Sequence, residues 1–440
     1  MEDDPLFRRT RQHAERRLTF GATQSAKDRL EQIKEFLRLE KEMLYRYHQK
    51  GDSGFRLTRA RSVIIDVLIQ TLFNWALLVA KESMGVTKPM AILATGGYGR
   101  GELSPHSDID LMFLYPHSSM GKSLDNLKEI MTREILYPLW DAGLKVGHAS
   151  REIKEALSES QKDIRNKNSM LDARFVCGDR KISKKFITSF FKFCRKHQPA
   201  QYLNELLKHQ VERRESKGNT VFLQAPDVKN GVGGLRDYQG ILWMAKVKFN
   251  LVNLQGLVDR KYLTEQETKS FNDAYSFLLR VRNELHFRST RPVDVLHLEK
   301  QPDIALGLGY PQEDIFRRVE AFMGDYYTKA QAIHQISGIL EERLVHANSG
   351  NTNKLSFKNV INAYRAAPLQ KVDGFDLRED LLTSPDPEIF DKDPERMIRL
   401  FRHAQRLNAT LSPDLRALVR NRLSLIDSTL INSSSANVTF

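Results

Sequence analysis

Cysteine is almost missing: the 440 residues hold two, Cys177 and Cys194, with no CxxC spacing. A disulfide framework and a cysteine-built zinc site are thereby excluded, and a reducing, cytoplasmic setting fits. The start of the chain, MEDDPLFRRT, has no apolar stretch behind its charges, which argues against a secretory signal. No internal repeat is evident. Long apolar runs are also scarce, with one exception, SVIIDVLIQTLFNWALLVA at 62–80. Its Asp66, Gln70 and Asn74 are spaced by four and form a polar stripe along one side of a helix. Such a stripe suits a helix packed inside a protein domain and is costly in lipid, so no membrane span is expected.

What is present is an ordinary globular composition, 41% hydrophobic and 28% charged, with a formal net charge of +13. The excess of Lys and Arg favours a phosphate-bearing partner but is spread along the chain. Residues 26–49 carry apolar positions at helical spacing, and GDSG at 51–54 ends that helix before the apolar one. KPMAILATGG and DIDLMFLY read as buried strands, LKEIMTREILYPLWDAG at 127–143 as a helix, and LKVGHAS and LDARFVCGD (171–179) as further short strands. Beyond about residue 185 the helical period dominates. ANSGNTN at 347–353 reads as an exposed loop. The organisation expected is α+β: an N-terminal helical segment (1–55), a domain with a small mixed sheet and helices (56–185), a mainly α-helical domain (186–430) and a polar tail (431–440).

The chemistry concentrates in ATGGYGRGELSPHSDIDLMFLY, residues 94–115. Successive strand side chains alternate, so Asp108 and Asp110 project together while Ile109 and Leu111 point away. Paired carboxylates repel unless a cation lies between them, and Mg2+, with Mn2+ as the substitute, suits hard oxygen ligands completed by substrate phosphates. Gly96, Gly97 and Gly99 let the backbone approach a phosphate chain, and Arg100 adds charge. No GKS or GKT completes the glycine turn, so a Walker loop is excluded.

A glycine pair followed about ten residues later by hDhDh resembles the signature of the nucleotidyltransferase superfamily that includes DNA polymerase β. The resemblance implies metal-assisted, in-line transfer of a nucleotidyl group with release of pyrophosphate. It also implies a third carboxylate from a later strand. Asp172 is the first candidate and Asp141 the second, and two readings stay open for Asp172: catalytic carboxylate, or ion-pair partner of Arg174.

The longer string GGYGRGELSPHSDIDLMFLY is similar, almost residue for residue, to the transferase motif of the bifunctional uridylyltransferase/uridylyl-removing enzymes that modify the PII nitrogen-signalling protein. LWDAGLKVGHASREIKEAL, LDARFVCGD, QAPDVKNGVGGLRDYQGILWMAK (224–246), RVRNELHFRSTRPVDVL and VEAFMGDYYTKA resemble further family segments in the same order. The resemblance implies transfer of UMP from UTP, or of another nucleotide, to a tyrosine hydroxyl of a PII-type protein. Asp108 and Asp110 would hold the metal, with Asp172 as the third catalytic carboxylate, and Gly96, Gly97, Arg100, Lys229 and Arg236 would bind the nucleotide. In DVKNGVGGLRD, Lys229, Arg236 and Asp237 surround a glycine turn able to hold a phosphate or base; the alternative is a plain helix start near Asp237. Arg282, His286 and Arg288 fit a solvated basic helix face as well as they fit substrate binding. The family's HD phosphohydrolase domain is not expected here, since the chain has no His-Asp dipeptide, and its glutamine-sensing ACT domains are not expected either. Two competing functions remain: a terminal nucleotidyltransferase acting on RNA, although no nucleic-acid-binding module with interleaved aromatics is visible, and a catalytically silent relative, which the intact DID triplet disfavours. The nucleotide base, the acceptor, any effector and the oligomeric state are not legible.

Overall fold

The computed structural model describes residues 4–21, 23–85, 90–115, 121–251, 253–346, 370–378, 381–407, 409–427 and 430. They form two compact units, Met1–Val345 and His346–Phe440. The loop expected at 347–353 and the tail at 431–440 lie outside the described residues.

The first unit opens with three helices, α1 (Pro5–Arg17), α2 (Ala26–Gln49) and α3 (Gly54–Met84). Serines begin α2 and α3: Ser25 accepts from the Asp28 N–H and Ser53 from the Arg56 N–H, satisfying donors that the first turn leaves free. α3 ends at Gly85, whose φ of 70° is the left-handed conformation that closes helices. It is the one helix among the described residues long and apolar enough to cross a membrane. Here most of its apolar residues are buried, although Leu78 is exposed, and its polar stripe meets a strand: Asp66 takes both terminal nitrogens of Arg174 at 2.9 Å, and Gln70 donates to the Val176 carbonyl at 3.0 Å. Asn74, the third of the stripe, is exposed.

Next come β1 (Ala91–Ala94), the short helix α4 (Gly96–Arg100) and β2 (Ile109–Tyr115). α5 (Gly121–Met131) runs through a π-helical turn (Thr132–Leu136) into α6 (Tyr137–Asp141), and β3 (Val146–Glu152) returns parallel to β2. After α7 (Ile153–Lys162) and α8 (Ile164–Leu171), β4 (Arg174–Gly178) completes a mixed sheet in the order β3-β2-β1-β4. The rest of the unit is helical: α9 (Arg180–Lys196), α10 (Pro199–Ser216), α11 (Leu235–Phe249), α12 (Gln255–Val258), α13 (Glu265–Phe287), α14 (Gln301–Gly307) and α15 (Ile315–His346). The α+β layout is the one the sequence implied.

The sheet separates two cores. Ile92, Ala94, Leu111 and Phe113 pack with α1–α3, α5 and α6. Ala91, Leu93, Met112 and Leu114, on the opposite face, pack with the later helices through Phe186, Phe190 and Tyr202. Strand alternation puts Asp110 on this second face, at the end of β2 beside the glycine turn.

The second unit has its own small sheet of short strands, β5 (Gln370–Val372), β6 (Phe375–Arg378), β7 (Leu381–Thr383) and β8 (Thr410–Leu411), in that order. Phe375, Leu382, Phe390, Met397 and Leu400 form its core. These strands are absent from the sequence reading, since two to four residues carry no usable period.

Candidate active site

The site is built where β1 turns into α4. The Thr95 N–H donates to the Asp110 carbonyl at 3.0 Å, extending the β1–β2 ladder up to the glycines. Gly96 adopts φ 55°, a left-handed conformation that a side chain strains. Gly99 has a different reason: a Cβ there would sit 2.1 Å from the Asp172 carbonyl oxygen. The turn is pinned from behind by buried Tyr98, whose hydroxyl donates to Asp66 at 2.6 Å, the same carboxylate that holds Arg174. The polar stripe of α3 therefore anchors the glycine turn.

Asp108 is exposed just before β2, and Asp110 is half-buried in its first turn of ladder. Neither carboxylate accepts a hydrogen bond or forms an ion pair with a described residue. Burial, and then the Asp108 charge, push the Asp110 carboxyl above its ordinary value; Lys229, Arg100 and Arg236 pull the other way. Glycines flank it: a Cβ at Gly147, its partner in β3, would lie 2.9 Å from Oδ1, and one at Gly96 would lie 3.1 Å from Oδ2.

The predicted cations surround the same carboxylate. Gly97, Arg100, Asp108, Asp110, Lys229 and Arg236 line one cavity together. A neighbouring cavity of about 470 Å3 shares Gly97, Arg100, Asp110 and Arg236 and adds Gly96, Ser169, Arg213 and Trp243. Arg100 is already engaged, donating to Glu102 at 2.7 Å and Asp172 at 2.5 Å. Arg236 is not. Among the described residues its side chain bonds to Gln239 Oε1 at 3.0 Å, its guanidinium lies 5.5 Å from the Trp243 ring centre, and burial followed by Arg100 pushes its pKa down to about 10. Lys229 is likewise held below the ordinary lysine value, by burial and then by Arg282. Lys229 has one carboxylate near it, Asp294 at 3.7 Å, and Arg236 has none among the described residues; partly buried cations in excess of carboxylates make a receptor for a polyanion.

Asp172 lies elsewhere. It is 3% exposed, and both its oxygens are occupied: Oδ2 by Arg100 and by the Trp243 indole N–H at 2.9 Å, Oδ1 by Lys246 at 2.7 Å. Its ion-pair partners are thus Arg100 and Lys246, while Arg174 turns to Asp66. Asp141, the second candidate, is exposed at the end of α6 and lines neither cavity. On the β2–β3 side, where a further carboxylate would face Asp110, the chain has Gly147.

The 226–237 loop holds its charges by a definite mechanism. Asp237, fully buried, accepts from Arg213, from Arg214 Nε at 3.0 Å and from the Gly233 N–H at 2.8 Å, which fixes the turn and leaves Arg236 facing the cavity. Gly233 has φ 69°, and a Cβ there would meet the Ala330 carbonyl oxygen at 2.1 Å. Arg282 and His286 do not form a solvated face: they are 7% and 0% exposed. His286 Nδ1 accepts from the His106 N–H at 3.1 Å, which leaves Nε2 as donor to Asp294 at 3.2 Å, and burial pushes its pKa down to about 4. Arg288 pairs with buried Glu284.

Sequence reasoning missed Glu102, Gln239, Trp243, Lys246 and Tyr275. A signal existed for three of them: Arg236, Gln239, Trp243 and Lys246 recur at intervals of three and four, one face of α11. That face meets the end of α8 through Trp243 and Lys246, and Glu102 ties it down by accepting from Arg100, from Tyr275 at 2.8 Å and from Gln239 at 3.5 Å.

Among the described residues no group of three or more His, Cys, Asp or Glu could hold a metal. The pair Asp108 and Asp110 still fits a hard divalent cation, because both carboxylates are unspent and close at the start of β2, Asp110 is partly desolvated, and such a cation draws its remaining ligands from phosphate and water.

Comparison with known proteins places the chain among nucleotidyltransferase sequences. Residues 201–341 match the family described as GlnD PII-uridylyltransferase, and residues 20–138 match glutamate-ammonia ligase adenylyltransferase. The chain is 32% identical over 399 residues to a bifunctional uridylyltransferase/uridylyl-removing enzyme of Bradyrhizobium sp. (strain BTAi1), covering 89% of this chain and 42% of that protein. Like-named proteins of Phenylobacterium zucineum (32% over 408 residues; 90% and 43%) and Caulobacter vibrioides (strain NA1000; 32% over 421 residues; 94% and 44%) are similar to the same extent. The chain spans about two-fifths of the length of these curated relatives.

Proposed function

From the premise that the chain belongs, over most of its length, to the family of bifunctional uridylyltransferase/uridylyl-removing enzymes, we propose that it is a metal-dependent nucleotidyltransferase. It transfers UMP from UTP to a tyrosine hydroxyl of a PII-type protein and releases pyrophosphate, in the cytoplasm. The observation that carries this reading is the meeting of two unspent carboxylates, Asp108 and Asp110, with the partly buried cations Lys229 and Arg236 in one cavity.

In this reading Asp108 and Asp110 hold Mg2+, which when bound supplies charge neutralisation at the reacting phosphate. Gly96 and Gly97 admit the phosphate chain close to the backbone. Arg236 and Lys229 stabilise the charge that develops on the departing pyrophosphate, and Arg100 does so from a position fixed by Glu102 and Asp172. Asp172 is a positioning residue, acting through Arg100.

The test is incubation with Mg2+, labelled UTP and a purified PII protein, followed by location of the label. Label on a PII tyrosine that disappears in Asp108→Asn supports the reading; transfer at wild-type rate by Asp108→Asn sinks it. A second reading, adenylyl transfer to a glutamate-ammonia ligase, is favoured by the match over residues 20–138, which contain both carboxylates. Preference for ATP over UTP in the same assay, with label on that ligase, would select it.

A further inference from the structure

Asp110 faces a third cavity on its other flank. This slot of about 310 Å3 lies between β3 and α8 and is walled by Thr95, Gly147, Ala149, Arg151, Asn166 and Ser169. Gly147, Ala149 and Arg151 alternate along β3 on the face that carries Asp110, Met112 and Leu114. β3 is the outer strand of the sheet, and Gly147 is exposed. The two oxygens of Asp110 divide between the sides: Oδ1 lies toward Gly147 and the slot, Oδ2 toward Gly96 and the phosphate turn.

The two flanks differ in chemistry. Arg100, Lys229, Arg236 and Arg282 stand on the glycine side. The slot offers neutral groups and one guanidinium, Arg151, itself 4.0 Å from Glu159. A triphosphate belongs with the cations. In-line displacement brings the nucleophile in opposite the leaving group, so with pyrophosphate departing into the cationic cavity the acceptor must approach from the other flank. At this size, near the lower end of ligand pockets (roughly 300–1,000 Å3), the slot has room for one aromatic side chain. The ring of its His148 alternates to the opposite face of β3, beside Phe113 and Trp140, and no Phe, Tyr or Trp lines the slot to stack a base.

Resting on the function proposed above, we infer that the slot between β3 and α8 is the acceptor site and receives a tyrosyl side chain carried on a loop of the partner protein. The phenolic oxygen bonds to the α-phosphorus there, the bond between that phosphorus and the bridging oxygen of pyrophosphate breaks, and the phenolic proton leaves to solvent.

Both native cysteines are buried, so a thiol placed in the slot is singly addressable. Ala149→Cys, folded first and then modified with a bulky maleimide, is compared with its own unmodified form; Ser150→Cys, whose side chain points to the opposite face of β3, is the control. Modification of Ala149→Cys should cut UMP transfer to a PII protein about 100-fold, leave Mg2+-dependent UTP affinity within about twofold, and be slowed by excess PII; modified Ser150→Cys should transfer normally. Undiminished transfer after modification of Ala149→Cys, loss of UTP binding with it, or equal loss in both variants would each overturn the slot as acceptor site. Failure of the underlying reading looks different: the unmodified wild-type chain would label RNA or another acceptor, or nothing, instead of PII.

Discussion

Replacing Asp172 by Asn separates two roles by the sign of its effect on stability. A carboxylate that serves as a metal ligand stands among like charges, so its removal leaves the metal-free protein as stable as before or more so. A carboxylate that neutralises buried cations does the reverse. Asp172 is 3% exposed and takes hydrogen bonds from Arg100, Lys246 and Trp243. Removing one partner of a buried pair costs about 3–5 kcal/mol. Arg100 keeps Glu102 at 2.7 Å and Lys246 keeps the Leu171 carbonyl at 3.1 Å, which places the cost at the low end, about 3 kcal/mol. An unfolding entropy of about 2.1 cal/mol/K per residue over the unit Met1–Val345 gives about 0.7 kcal/mol/K, and hence a fall in Tm of about 4 °C. Calorimetry of both proteins without metal measures it. A Tm equal to or above wild type, together with abolished transfer, would refute the positioning role and return Asp172 to the metal site.

Asp110→Asn should act oppositely. Its carboxyl is raised by burial and by Asp108, so the folded chain holds that proton more tightly than the unfolded one, and stability is lost as pH rises through the folded value. Asn removes that loss, so metal-free Tm at neutral pH should stay level or rise while transfer disappears; a clear fall in Tm would contradict it. Arg236→Ala removes a cation with no carboxylate partner, so UTP affinity should drop roughly 10- to 100-fold, the range of a charge-assisted hydrogen bond, with little change in Tm; titration calorimetry reads the first, and unchanged affinity would remove Arg236 from the phosphate site. His286, held down to about 4 from the ordinary 6.5, gives stability that is complete above the ordinary value and declines as pH falls toward 4. The decline should be at most about 3 kcal/mol and shallower in His286→Gln, as denaturant titrations across that pH range will show.

Local features were legible and long-range ones were not. Gly96, Gly97, Asp108 and Asp110 could be assigned because a turn and a strand start define them within fifteen residues, and Lys229 and Arg236 because glycines mark their loop. The polar stripe of α3 was visible as a stripe; its partners were not, because Asp66 meets Arg174 across 108 positions of sequence. The same blindness explains Asp172: its neighbour Arg174 invited a pairing, but Asp172 lies in the turn that closes α8, before β4 begins, and the two cations that reach it come from α4 and α11. For Arg282 and His286 a solvated face and a binding role stayed equally open, because helical spacing reports which residues share a face and says nothing about what covers that face.

The carboxylates at 108 and 110 and the cations at 229 and 236 are supplied by stretches of chain more than a hundred residues apart, and Glu102, Gln239 and Tyr275 lace the two together. Neither stretch is an enzyme in miniature. Cut between them, one piece would carry the paired carboxylates without the cations, and the other the cations without the carboxylates. Such a chain cannot have its chemistry trimmed to the motif that announces it, and in a split-protein assay its activity would report the rejoining of the halves.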